Sequence, residues 1–221
     1  MLDLRDRSSI KDIRSALYAF GSLVGDDRRT NELRAATGTH IDLSRTAHRD
    51  ALLLWLRQWG CRHLRTADNA RSSQALLAWW KRHASDLPGA RATLAGLGPR
   101  AFAKAGRAHA DLARRPAARR RHQDGEVDVT FGSTAAAKAM FALRPEVFPP
   151  WDEPMRSAFG WTGLDPSHYE AFLELSKDAL DRLAQRAGVR IDELPAHLGR
   201  PNSTPARIVD EYLWMKLTRG A

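Results

Sequence analysis

The stretch that decides the fold covers residues 129–161 and reads VTFGSTAAAKAMFALRPEVFPPWDEPMRSAFGW. Gly-Ser-Thr at residues 132–134 supplies a turn and a helix cap, and the alanine-rich run after it consists of strong helix formers. Three prolines then end this helix and force an extended crossing: Pro145, Pro149 and Pro150. Asp152 stands just before Glu153 and Pro154, where a second helix is expected to begin because proline fits the first helical turn.

Apolar residues recur at helical spacing through most of the remaining chain. Residues 9–24 form one such stripe, and Ser9 with Asp12 resembles a capping box at its start. A long helix is predicted to begin at Pro166 and to stop near Gly188, and a last one to begin at Pro205. The pattern predicts an all-α fold, a two-lobed helical bundle.

The length of 221 residues is enough for one domain with a proper core. We expect a single unit over residues 1–221. Its two approximate lobes are residues 1–98 together with the C-terminal helices, and residues 99–165.

The net charge of +9 favours a polyanionic partner, although a coding bias towards arginine is an alternative explanation. Cys61 is the only cysteine, which excludes an intrachain disulfide and a cysteine-rich metal site. The sequence holds no apolar run of 18 residues and its first residues are strongly charged. We therefore expect a soluble intracellular protein without a membrane partner, cytoplasmic and, if bacterial, associated with the nucleoid.

The most basic segment covers residues 100–122, where eight arginines and lysines face one acid, Asp111. A basic run is usually a solvated surface, but this one follows a glycine-rich turn at residues 94–98 that could point backbone N–H groups at a phosphate. That turn is equally compatible with a plain connection between helices. The candidate phosphate contacts in this segment are Arg100, Lys104, Arg119, Arg120 and Arg121.

Residues 129–161 resemble the second half of the helix-hairpin-helix DNA glycosylases. The last hairpin glycine, the small-residue helix and the catalytic aspartate of that superfamily correspond to Gly132, residues 134–137 (Thr-Ala-Ala-Ala) and Asp152, and 20 residues separate Gly132 from Asp152. The hairpin here carries one glycine where the family usually has two. The resemblance implies that Gly132, Ser133 and Thr134 grip DNA phosphate.

The resemblance also implies catalytic roles. A carboxylate at Asp152 would stabilise the positive charge that develops on the sugar when an N-glycosidic bond breaks. Lys138 is a candidate for Schiff-base chemistry, with a salt-bridging or solvated role as alternatives. Trp151 and Phe148 are candidates for a base pocket or a wedge, because the base must first leave the stack. A plain helix cap is the alternative for Asp152.

The predicted function is therefore that of a monomeric DNA glycosylase. It would bind duplex DNA with a flipped base and hydrolyse the bond to a modified or damaged base, possessing no cofactor and no metal. The first alternative is a non-catalytic DNA-binding module with the same fold. The second is a helical protein that binds another protein and whose charge reflects coding bias.

Overall fold

The computed structural model describes residues 9–24, 28–122 and 125–219. Within these ranges the helices and strands are, in order, α1 (Ile10–Val24), α2 (Arg28–Thr37), α3 (Thr46–Gln58), α4 (Asn69–His83), α5 (Pro99–Arg114), β1 (Pro116–His122), β2 (Gly125–Thr130), α6 (Gly132–Leu143), α7 (Glu153–Ala158), α8 (Pro166–Ala187), α9 (Leu194–His197) and α10 (Pro205–Arg219). Single turns of 3-10 helix lie at Thr66–Asp68, Leu94–Gly96 and Ile191–Glu193. The helical class predicted from the sequence is confirmed.

Local sequence signals set several helix ends. The Ser9 amide donates to Asp12 Oδ2 at 3.0 Å and the Asp12 amide donates to Ser9 Oγ at 3.1 Å, so the predicted capping box forms at α1. Helix α8 begins at Pro166 and is terminated by Gly188 at φ 66°. Helix α4 begins at Asn69.

Small residues let α5 pack tightly between α6 and α8. A Cβ added at Gly106 would lie 2.4 Å from the Pro166 carbonyl oxygen, so α5 and α8 touch backbone to backbone there. Alanines fill the rest of this contact and are buried: Ala105, Ala108, Ala135, Ala136, Ala137 and Ala139. This packing fixes the start of α6, and with it the side chains that α6 carries.

The expectation of an all-α chain needs one correction, because residues 116–122 and 125–130 form two antiparallel strands, the β1–β2 hairpin. Strands β1 and β2 pair with a register shift between Pro116 and Ala118, beyond which Arg119 lies opposite Asp128 and Arg121 opposite Glu126. Opposite charges that face each other across two strands stabilise their pairing. The Ser72 hydroxyl donates to the Ala117 carbonyl at 2.5 Å and ties β1 to α4.

One continuous cluster of buried apolar side chains runs through both predicted lobes. It contains Leu17 of α1, Trp79 of α4, Phe141 of α6, Tyr169 of α8 and Leu213 of α10. The boundary near residue 98 therefore does not divide the apolar core. Over the described ranges, no helix combines the length and the apolar character needed to cross a membrane.

We expect Gly132→Val to lower the free energy of unfolding by more than about 1 kcal/mol. Gly132 opens α6 at φ +70°, where a side chain is strained, and no atom lies within 4 Å of an added Cβ. The cost therefore comes from the backbone and not from a clash. Gly89→Val is the matched control, since Gly89 has equal space and no left-handed φ. Denaturant titration measures both variants, and equal losses would contradict the assignment.

Candidate active site

Asp152 lies where the extended linker meets α7 and caps that helix. Its backbone is extended, and its Oδ1 accepts a hydrogen bond from the Met155 amide at 3.4 Å. The side chain is half-buried. The hydrogen bond to the helix therefore uses Oδ1 of this side chain. Asp152 also borders a cavity.

Lys138 reaches the same cavity from α6. Its Nζ donates to the Trp59 carbonyl at 2.6 Å and lies 6.0 Å from the centre of the Trp59 ring. Gly60, the residue after Trp59, has φ +88°, and a Cβ added there would lie 4.0 Å from the Lys138 Nζ. Glycine thus leaves room for the lysine side chain beside the backbone. Lys138 is thus held by a backbone acceptor, and it is not a solvated helix residue.

The cavity has a volume of about 880 Å³, within the range of small-molecule pockets. Its lining combines three kinds of side chain. Aromatic rings come from Phe20, Trp59 and Trp214. Cations come from Arg28, Arg29, Arg62, Lys138 and Arg207, and carboxyl groups come from Glu32, Asp152 and Asp210.

Asp210 of α10 is a second carboxyl group in this cavity. Its side chain is 15% exposed, and its Oδ2 lies 3.6 Å from an Arg207 guanidinium nitrogen, beyond hydrogen-bonding distance. Burial raises the pKa of Asp210 to about 7, assisted by the negative charges of Asp152 and Glu211 and opposed by Arg207 and Lys138. Close to neutral pH, a large fraction of this carboxyl group is protonated.

Arg207 organises the wall beside Asp210. Its guanidinium carbon lies 4.4 Å from the centre of the Trp59 ring, and its Nε donates to Glu211 at 3.3 Å. Arg200 donates to the same carboxylate at 2.8 Å and 3.0 Å. Glu211 is 1% exposed, so it needs both partners to stay buried as an ion. The positive charge of Arg207 is therefore shared between Glu211 and Asp210, so it stabilises the ionised form of Asp210 only partly.

The first residues of α6 face the core, which differs from the phosphate-gripping role expected of them. Ser133 is buried: its hydroxyl accepts from the Trp151 indole at 3.0 Å, and His109 lies 3.0 Å from its carbonyl. Thr134 accepts a hydrogen bond from Arg156 at 3.1 Å. Gly132 is half-buried. The Ser133 hydroxyl is thus occupied inside the protein, because α6 begins at the central helix contact.

Phe148 and Trp151 also lie inside the protein, so neither is placed to act as a wedge or a base-pocket wall. Their exposures are 0% and 2%. Trp151 stacks on Trp161 at 5.5 Å and meets Tyr169 edge-on at 5.4 Å. The two rings stabilise the linker that presents Asp152, and the aromatic surface in the cavity comes from residues distant in sequence, such as Trp59.

The basic candidates are distributed over α5 and the hairpin. Arg100, Arg120 and Arg121 are exposed. Lys104 pairs with Asp86 at 2.9 Å, and Arg119 pairs with Glu126 at 3.1 Å. All five candidates are therefore exposed, and two of them, Lys104 and Arg119, are partly neutralised by their own acids.

Sequence reasoning missed Asp210, Arg207 and the role of Trp59. The available signal was an Asp-Glu pair inside an otherwise apolar helix, at residues 208–213 (Ile-Val-Asp-Glu-Tyr-Leu). Charged residues at such positions are rarely buried without a partner or a role. Comparison with family models, curated proteins and solved structures gave no match.

Proposed function

We propose that the protein is a DNA N-glycosylase that works in the cavity shared by Lys138 and Asp152. The observation that carries the proposal is the meeting of these two side chains at one aromatic-walled cavity, although α6 and α7 are separated by the proline-rich linker. A flipped base needs flat apolar walls, and Trp214 borders the cavity beside Trp59, whose ring is already covered by Arg207 and Trp55.

Asp152 would supply the electrostatic part of the reaction. Breaking the bond from C1′ to the base leaves positive charge on the sugar, and a nearby carboxylate stabilises that charge. The same carboxylate can orient a water for attack on C1′. The capping bond from Met155 keeps the side chain in place before the substrate arrives.

The cations around the cavity suit the phosphates that flank a flipped nucleotide. Arg28, Arg29 and Arg62 line it together with Lys138. Arg29 also donates to the Gln58 carbonyl, which holds α2 against the end of α3. We propose that DNA approaches the molecule on this side and continues across the exposed cations of the β1–β2 hairpin.

The test of the proposed function is incubation with duplexes that each carry one modified base, scored for abasic sites by alkaline strand cleavage. We expect release of at least one modified base, with no release from unmodified duplex. Asp178→Asn serves as a control for the loss of one surface carboxylate, because Asp178 is exposed on α8 and is not among the residues that line the cavity. It should release the same bases as the wild-type protein. Salt-dependent binding without any release would instead favour the non-catalytic DNA-binding module.

Replacing Arg119, Arg120 and Arg121 with glutamine is expected to weaken binding to every duplex alike. The plot of log affinity against log salt should flatten by up to about one unit for each lost phosphate contact. Fluorescence anisotropy at several salt concentrations measures the slope. Neutralising Arg182, Arg186 and Arg190 on the C-terminal third removes the same charge and is the control. Equal slopes for the two triple variants would remove the hairpin from the interface.

A further inference from the structure

We infer that Asp210 is a second catalytic carboxyl group, which donates a proton to the departing base while Asp152 acts as the carboxylate. This inference rests on the proposed function. The two side chains enter one cavity from different elements, Asp152 from the start of α7 and Asp210 from α10. Glycoside hydrolysis commonly divides its work between two carboxyl groups in this way.

Charged groups line the cavity around Asp210 from four helices and from the loop that follows α3. Arg207 and Glu211 lie on its own helix, Asp152 on α7 and Lys138 on α6. The rest of the cavity lining adds four more: Arg28, Arg29, Glu32 and Arg62. Helix α1 contributes only Phe20 and Leu23 to the lining.

Asp210 shares its nearest counterion, because Arg207 forms an ion pair with Asp210 at 3.6 Å and with Glu211 at 3.3 Å. Arg207 donates its Nε to Glu211 and stacks on Trp59, and Lys138 donates to the Trp59 carbonyl. The Arg207 NH1 nitrogen, 3.6 Å from Asp210, is buried without a hydrogen-bond partner among the described residues. Burial is the main reason why the pKa of Asp210 rises to about 7. Below that pH most of this carboxyl group is protonated.

Two carboxyl groups in different environments can divide the acid and base roles of one reaction. Asp152 is half-buried and caps a helix through an oxygen that accepts a backbone N–H. Asp210 lies in a drier position on the wall of the same cavity. The acid role therefore belongs to Asp210.

The proposed step balances as follows. The bond between C1′ and the base nitrogen breaks, its electron pair stays on the base, and the Asp210 proton neutralises the base. Water attacks C1′ and gives a proton to Asp152. Proton transfer through solvent then returns Asp210 to its acid form and Asp152 to the carboxylate, so that one water is consumed for each base released.

The test compares the wild-type protein with Asp210→Asn by single-turnover excision between pH 6 and pH 9, on a modified base that does not itself titrate in that range. The wild-type rate should fall as pH rises past about 7. The excision rate of Asp210→Asn should not change with pH. It should be about 100-fold below the wild-type rate at pH 6 and close to the wild-type rate at pH 9. Asp210→Glu should restore a falling limb, and Asp178→Asn should follow the wild type throughout.

We expect Asp210→Asn to fold, so that a loss of excision reports on chemistry and not on stability. The folded pKa of Asp210 lies above its unfolded value of 3.8, so ionisation weakens the fold as pH rises towards 7, and a neutral asparagine avoids that cost. A loss that is the same at every pH, or no loss at all, would overturn the assignment. Absence of excision by the wild-type protein would instead remove the proposed function, and the acid role with it.

Discussion

Replacing Asp152 with asparagine is expected to slow base excision by about 100-fold or more while leaving folding and DNA affinity nearly unchanged. Asparagine keeps the size of aspartate and can still cap α7, as Asp152 does through the Met155 amide. The change therefore isolates the negative charge. Single-turnover excision under excess protein measures the chemical step, and fluorescence anisotropy measures binding.

The matched control for this variant is Asp165→Asn. Asp165 caps α8 by accepting the Ser167 amide at 2.9 Å, is exposed, and is not among the residues that line the cavity. Asp165→Asn shows how the loss of a helix-capping charge alone affects base excision. We expect this variant to excise at the wild-type rate. Full excision by Asp152→Asn would show that its carboxylate is structural.

Sodium borohydride is expected to trap a covalent adduct between the protein and a cleaved substrate duplex, and Lys138→Ala is expected to abolish it. The Lys138 amine borders the cavity with Asp152, and once deprotonated it can add to C1′ of the opened sugar and lose water to form an imine. Borohydride reduces that imine to a stable amine. Gel electrophoresis of the trapped mixture measures the adduct.

Two lysine variants sharpen this result. Lys138→Arg keeps the positive charge but cannot form the imine, so it should also give no adduct. Lys177→Ala removes a lysine that pairs with Asp181 on α8, and it should be trapped like the wild type. An adduct that persists in Lys138→Ala would exclude this lysine. Excision by the wild type without any adduct would make the enzyme monofunctional and leave Lys138 an electrostatic role.

The parts of the fold that followed from the sequence are those governed by local chemistry. The capping box of Ser9 and Asp12, the proline that begins α8 and the left-handed Gly188 that ends it are all decided within a few residues. Gly132 likewise adopts the positive φ that a turn before an alanine-rich helix requires. The placement of Asp152 at the start of α7 followed from the proline after it.

The features missed in the sequence depend on residues that lie far apart in the chain. Asp128 pairs with Arg119 because two strands bring them together, a contact that no local pattern near either residue reveals. Asp210 is buried on α10, which packs against α1 and α7, two elements that lie far away in the chain. The burial of Trp151 likewise comes from α8, which no local pattern near residue 151 reveals.

We propose that the carboxylate of Asp152 stabilises a positively charged sugar, and this effect can be measured before the modified base is known. A duplex that carries a protonated pyrrolidine in place of one deoxyribose imitates that cation, and a neutral tetrahydrofuran duplex is its uncharged match. Transition-state analogues bind at least about 100-fold more tightly than ground-state ligands. We predict a preference of that order for the pyrrolidine duplex over the tetrahydrofuran duplex, lost in Asp152→Asn and kept in Asp165→Asn. Equal affinity of the wild type for both duplexes, or a preference that survives in Asp152→Asn, would contradict the account.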